Sequence, residues 1–390
     1  LPQAANASSL SGFYQARLVS AWLGVGNPRR GLYAPFTPAD GRLHNVTEVA
    51  EGDDIALAQY RPEERGGPLH LIGTCLNQTS DDASGLFNAD RKGQLAIASA
   101  RALEVGPHTV LRWDQPTAQD SAQGADESRR SGTLGRWIAV SGAAVAPGAG
   151  SYTSRGWALV MFMLGIRLGH WIESPLAQTL PWPKAWLWRR APKPLMLWSE
   201  ARALFFGPAR PWWYLSDGGH FDNTGVYALI KRECDFIVLS DASADAGYRF
   251  SDLENLVRKA RIDLDAEIVF YTREEAAPLF SLAGDGLTVL SPDGLADNST
   301  RRGVLLARIH YRRSDPSGSA HGGTLLVVKP NLHAGLDLDL LAYAQSHPRF
   351  PHESTGDQFF DEAQWVCYQR LGQDMGQALD DRWLAQLPGW

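Results

Sequence analysis

The stretch 213-WYLSDGGHFDNTGVYALIKRECDFIVLSDAS-243 decides how this chain is read. An apolar run ends in Asp217-Gly218-Gly219-His220, a helix-like segment follows, and a second apolar run leads to Asp241. Two glycines are costly inside a strand, because Gly loses the most backbone entropy on ordering. They make sense at a strand end, where the chain must turn sharply or approach something closely. Asp217 is therefore placed just past the carboxyl end of a strand, the position at which open α/β sheets bind ligands. Gly218 or Gly219 is expected to have φ above zero. Asp222 or Asn223 is expected to cap a helix over Asn223–Glu233. Taken alone, an Asp-Gly-Gly is more often a plain strand-to-helix turn than a site.

Outward from this stretch, short apolar runs bounded by turn residues read as buried strands at Leu69–Cys75, Trp137–Val140, Trp212–Leu215, Phe236–Leu239 and Ile268–Tyr271. Ser251-Asp252-Leu253-Glu254 has the form of a capping box, opening a helix to about Ile262. Strands alternating with helices predict an α/β fold with a mostly parallel sheet flanked by helices. Val304–Tyr311 and Thr324–Val328 predict an antiparallel hairpin at one sheet edge near the C-terminus. The apolar run 157-WALVMFMLGI-166 stops at Arg167 and reads as a buried helix, too short to span a bilayer. Residues 114–132 are polar and read as an exposed loop. No internal repeat is visible, and residues 1–390 are read as a single α/β domain.

Net charge is −6 with mixed signs, which argues against a nucleic-acid partner. Cys75, Cys234 and Cys367 are too few and too scattered for a disulfide framework or a zinc site, and a reducing compartment fits. Asn6, Asn45, Asn77 and Asn298 stand in N-x-S/T triplets, which arise often by chance. Leu1 opens the chain without an initiator Met or a secretory leader, so the chain is expected to begin inside a longer protein. The expected location is cytoplasmic, with association at the inner face of the membrane.

Several long blocks carry a resemblance. They include 14-YQARLVSAWLG-24, 138-IAVSGAAVAPGAG-150, 215-LSDGGHFDNTGVYALIKRECDFIVLSDASAD-245, 248-YRFSDLENLVRKARID-263 and 349-RFPHESTGDQFFDEAQ-364. In this order, and over nearly the whole chain, the sequence resembles the bacterial patatin-like phospholipases. The resemblance implies a three-layer patatin-like fold and a lipid acyl hydrolase working through a Ser-Asp dyad without a cofactor. Serine attacks the lipid ester carbonyl, and the aspartate takes its proton and later returns it. By this resemblance Asp217 is the dyad aspartate, and Gly218, Gly219, His220 and Gly142 line the substrate site. An upstream glycine-rich loop would supply the oxyanion donors.

The chain departs from that pattern in two respects: neither the glycine-rich oxyanion loop nor the nucleophile motif occurs in it. The nucleophile motif G-x-S-x-G needs small residues two before and two after the serine, because the turn is crowded. No serine here has Gly at both positions; the closest is Ser141 in 139-AVSGA-143. The family has a matching S-G-A-A segment besides its nucleophile, so Ser141 and Gly142 read as a pocket-wall turn. The chain is then the C-terminal portion of the enzyme, with the nucleophile on an upstream segment. Two alternatives stay open: an inactive lipid-binding or scaffold relative, or an esterase using Ser141.

His220 reads as a residue that fixes the loop, and Asp241 as a structural cap. His352 with Asp357, Asp361 and Glu362 lacks metal-site spacing, so no metal is assigned. Residues 171–213 hold Trp171, Trp182, Trp186, Trp188, Trp198, Trp212 and Trp213 among Lys, Arg and Pro. Two readings fit this segment equally: a lipid headgroup boundary, or a tryptophan-rich cover packed on the sheet.

Overall fold

The computed structural model describes residues 5–27, 49–80, 91–115, 127–174, 190–276, 288–297, 302–312, 321–354, 360–377, 379, 381–387 and 389–390. The chain divides into two compact units, Leu1–Asn223 and Thr224–Trp390.

The first unit opens with helix α1 (Ser11–Leu18). Strands β1 (Ile72–Asn77), β2 (Gly93–Ala98), β3 (Ala102–Val105) and β4 (Thr109–Arg112) follow. Then come helices α2 (Leu134–Ser141) and α3 (Arg155–Leu164), β5 (His170–Glu173), helix α4 (Pro192–Arg202) and β6 (Trp212–Asp217). The six strands form one sheet in the order β4-β3-β2-β1-β6-β5. Every neighbouring pair is antiparallel. The expected mostly parallel, three-layer sheet is therefore not the fold. The reason is physical: β1 is buried at nearly every residue, as a central parallel strand would be. Here that burial comes from α2, which packs on β1 and β6. The β2–β3–β4 meander does not stand out as apolar runs, because Gly93 and Gln94 open β2, Glu104 interrupts β3 and β4 alternates half-buried with exposed positions; its β3–β4 turn uses Gly106 at φ 59.

Two further expectations fail here. Trp137–Val140 lies inside α2, whose N-terminus is capped by the Thr133 hydroxyl accepting from the Arg136 N–H at 3.3 Å. The cap and the burial of Leu134, Trp137 and Val140, spaced by three along one helical face, override the β-propensity of the short run. The 157–166 segment is helical as α3, but it is not buried: Ala158 is its one fully buried residue, while Trp157, Met163 and Leu164 are 67%, 76% and 65% exposed. Core side chains of this unit include Leu57, Leu76, Leu103, Trp137, Trp213 and Leu215.

The second unit contains α5 (Val226–Ile230), β7 (Phe236–Ser240), α6 (Ser251–Asp263), β8 (Ala266–Phe270), β9 (Thr288–Leu290), β10 (Gly303–Tyr311), β11 (His321–Val328), α7 (Leu338–Ser346) and α8 (Glu362–Gln377). Its sheet order is β7-β11-β10-β8, with β9 also beside β10. The β11–β7 and β10–β9 pairs are parallel, and the others antiparallel. The predicted hairpin is present as β10–β11, but it sits in the middle of the sheet rather than at an edge. Leu305, Leu306, Leu325 and Leu326 are fully buried, as a central pair requires. Helix α6 has the expected extent but not the capping box: Ser251 is already helical. The Asp245 carboxylate instead accepts from the N–H groups of Arg249 and Phe250, both at 2.9 Å. Helix α5 is shorter than expected, and Gly225 at φ 73, not Asp222 or Asn223, occupies its N-cap.

Candidate active site

β6 carries the Asp-Gly-Gly motif to the sheet end, and Asp217 is its last residue, paired with Thr74 of β1. The chain then makes a single 3-10 turn over Gly218–His220. The Asp217 Oδ1 accepts from the Gly219 N–H at 2.7 Å, capping that turn. Asp217 is half-buried, and no cation pairs with it among the described residues. Burial pushes its carboxyl above the usual range, and the Gly219 N–H offsets this only in part.

Neither Gly218 nor Gly219 has positive φ, contrary to expectation. The need for glycine is close approach. A Cβ on Gly218 would lie 2.6 Å from the Gly73 carbonyl oxygen of β1, and one on Gly219 would lie 2.6 Å from the Asn223 Oδ1. The turn is pressed directly against the neighbouring strand, which fixes where the Asp217 carboxylate stands.

Ser141 ends α2 rather than following a strand, so it occupies no strand-to-helix elbow. Its hydroxyl donates to the Gly73 carbonyl at 2.7 Å. The same Gly73 carbonyl oxygen thus accepts from Ser141 and lies against Gly218. Gly142 follows in the turn, and the Tyr14 hydroxyl of α1 donates to its carbonyl at 3.1 Å. Burial, then the nearby charge of Asp217, raises the Tyr14 phenol above its ordinary value. The structure therefore gathers Tyr14, Ser141, Gly142 and Asp217 around the end of β1.

His220 is held by the loop it was expected to fix. Its Nδ1 lies 2.8 Å from the Ser216 Oγ, and the ring also bonds the Ala144 backbone. Both contacts are satisfied when Ser216 donates to Nδ1 and Nε2–H donates to the Ala144 carbonyl. Burial pushes this histidine down to about 4, so it is neutral near pH 7. Asn77 completes the network: its Nδ2 donates to Ser216 Oγ at 2.9 Å, and its Oδ1 accepts from the Gly150 N–H at 3.0 Å. In the sequence Asn77 is marked by an N-x-S/T triplet. It is fully buried on β1, and no accessible acceptor remains. Tyr14 was missed altogether, although it opens one of the blocks quoted for the resemblance.

Asp241 gives a useful contrast. It also follows a strand, but the buried Lys329 ammonium lies 3.0 Å from its Oδ2 and the Ser243 hydroxyl donates to its Oδ1 at 2.6 Å. Burial works upward on this carboxyl, but Ser243 and Lys329 prevail and hold it below its ordinary range. One strand-end aspartate is neutralised by Lys329, and the other has no cation beside it among the described residues. Asp357 lies outside the described residues, and among those described no group of three or more metal-ligating side chains occurs.

Of the tryptophan-rich segment, Trp182, Trp186 and Trp188 lie outside the described residues. Trp171 and Trp213 are buried, with the Trp171 Nε1 donating to Glu200 at 2.6 Å, whereas Trp198 is 58% exposed. Among the described residues no helix is long and apolar enough to cross a membrane. Comparison with protein-family models, curated proteins and solved structures finds no match to this chain.

Proposed function

We propose that this chain is the base-supplying part of a patatin-like lipid acyl hydrolase, with Asp217 as the general base of a Ser-Asp dyad. The observation that carries the reading is the state of Asp217: a half-buried strand-end carboxylate with no cationic partner among the described residues and a raised pKa. A carboxylate kept solely for folding is better served by the arrangement at Asp241, where Lys329 neutralises it.

In the proposed reaction a serine Oγ attacks the ester carbonyl carbon while Asp217 accepts the hydroxyl proton. The ester C–O bond then breaks as the proton passes to the leaving alcohol. Water, deprotonated by the same carboxylate, releases the acyl group from serine. The Gly219 N–H fixes one carboxylate oxygen and leaves the other for the proton. Tyr14 stands beside Asp217, with its own hydroxyl proton engaged by Gly142. The attacking serine is assigned to a segment upstream of Leu1. Ser141 is disfavoured because its proton points to the Gly73 carbonyl and not to a base.

Hydrolysis of p-nitrophenyl esters and phospholipids by residues 1–390, and by a longer chain with the upstream segment, tests this. Residues 1–390 are expected to be inactive and the longer chain active. Asp217→Asn in the longer chain should lower kcat by roughly 10²–10⁴-fold. Full activity of that variant removes Asp217 from the mechanism. Activity of residues 1–390 that Ser141→Ala abolishes transfers the nucleophile to Ser141.

A further inference from the structure

Helix α3 poses a separate problem. Ten residues, RGWALVMFML, form a regular helix closed by Gly165 at φ 70. A helix apolar on all sides is ordinarily buried. Here Trp157, Leu159, Val160, Met163 and Leu164 are between 43% and 76% exposed. At about 100° per residue they lie on the side of the helix opposite Ala158, the buried position. The result is an exposed apolar helix face, called a ridge below.

The ridge stands on a firm base. α3 packs against α4. Arg167, just beyond α3, makes a buried ion pair with Glu200 of α4 at 2.5 Å and donates to the Ser8 carbonyl at 2.5 Å. The apolar exposure is therefore held in place by the fold.

Charge states what suits it. Glu200 is spent internally on Arg167 and Trp171. Every exposed charged side chain of α3 and α4 is basic: Arg155, Lys193 and Arg202. Arg155 occupies the first turn of α3, where the helix dipole disfavours a cation, so the helix itself gives no reason for it. Arg202 lies over the exposed Trp198 ring at 5.2 Å. Exposed apolar side chains on α3, exposed indoles at Trp157 and Trp198, and exposed charges on the two helices that are basic alone match the boundary between acyl chains and anionic headgroups.

We propose that the α3–α4 pair is a docking surface for an anionic lipid bilayer, with α3 lying in the interface plane. At ten residues α3 is about 15 Å long, half the hydrocarbon thickness, so it rests in the interface and does not cross it. The proposal does not rest on Asp217 acting as a base, and its test reads binding without hydrolysis.

The test is co-sedimentation of residues 1–390 with vesicles of phosphatidylcholine alone, and of phosphatidylcholine mixed equally with phosphatidylglycerol. Binding to the mixed vesicles is expected, weakened by salt, with little binding to phosphatidylcholine alone. Leu159→Ser with Met163→Ser should reduce the partition coefficient by about tenfold or more. Lys193→Gln with Arg202→Gln should remove the preference for the anionic vesicles. All four positions are exposed, and an unchanged melting temperature would certify that the variants fold. Partitioning unaffected by the Leu159/Met163 pair would overturn the proposal. So would a concentration-dependent dimer that the same pair abolishes, because a second copy would then cover the ridge. Loss of vesicle binding on restoring residues upstream of Leu1 would overturn it as well, by assigning the ridge to the chain itself.

Discussion

Replacing Gly218 with Ala tests whether the Asp-Gly-Gly turn owes its glycines to close approach. The added Cβ would sit 2.6 Å from the Gly73 carbonyl oxygen and 2.9 Å from its carbon. Real Cβ contacts essentially never fall under 3.0 Å, and both obstructing atoms are backbone, so no side-chain rotation relieves them. The end of β6 must move off β1 by several tenths of an ångström, against the Thr74–Asp217 pairing. Overpacking of this kind costs about 1–3 kcal/mol. For a unit of this size each kcal/mol lowers the melting temperature by about 2–4 °C, so a fall of roughly 2–12 °C is expected. Gly219→Ala is the internal control. Its Cβ would meet the Asn223 side-chain oxygen at 2.6 Å and the Asp217 Oδ1 at 3.1 Å, side-chain atoms that yield more readily than the backbone facing Gly218. Its cost should be within about 0.5 kcal/mol, because Ala also restricts the unfolded chain. Thermal melts followed by near-ultraviolet circular dichroism compare the two. Wild-type stability in Gly218→Ala, or a larger loss in Gly219→Ala, refutes the close-approach argument.

Asp217→Asn should stabilise the fold at pH 7. The folded-state pKa lies above the unfolded value, so stability is full at low pH and declines as pH rises from the ordinary value of 3.8 through the raised native one. Asn removes that decline while keeping the acceptor for Gly219, so its melting temperature should exceed wild type at pH 7 but not at pH 3. The first unit should also lose stability on acidification below about 6.5. His220 and His170 are pushed down to about 4 and about 3, chiefly by burial, and the unfolded chain therefore binds their protons first. Denaturant titrations at stepped pH check this, and a flat profile between pH 6.5 and 4 counts against it. Lys329→Met leaves Asp241 buried without its cation, and a loss of about 3–5 kcal/mol is expected. Urea midpoints that match wild type would show that Ser243 alone suffices for Asp241.

What was legible in the sequence follows from what local pattern can encode. The strands at Trp212–Leu215 and Phe236–Leu239 and the helix from Ser251 are set by short-range burial and turn chemistry, and they stand close to where they were read. Strand direction is different. An apolar run of five or six residues is the same whether its neighbour is parallel or antiparallel, and β1 hides the distinction by being buried at nearly every residue. The hairpin β10–β11 was visible, but its place in the sheet depends on β7 and β8, which no local signal ties to it. α3 was misplaced because apolarity on all sides is read as burial; only the tertiary fold shows which side is covered. At the site, Asp217 announced itself through its two glycines. Tyr14 and Asn77 did not, because each acts through a contact with residues far along the chain.

The pairing of β1 with β6 also bears on how the molecule is made. Thr74 and Asp217 are opposite one another in the sheet yet separated by most of the first unit's length. Closing so long a loop costs entropy before any contact repays it, and such pairings slow folding. The β2–β3–β4 meander, with short turns, can zip locally onto β1 first. The carboxylate environment at Asp217 then comes into being only with this long closure. During synthesis the nascent chain would carry an unpaired edge of β1 until residues 212–217 emerge, and an unpaired edge invites wrong partners. Pulse-labelled hydrogen exchange during refolding would register this order as early protection of the β2 amides and late protection of those in β6.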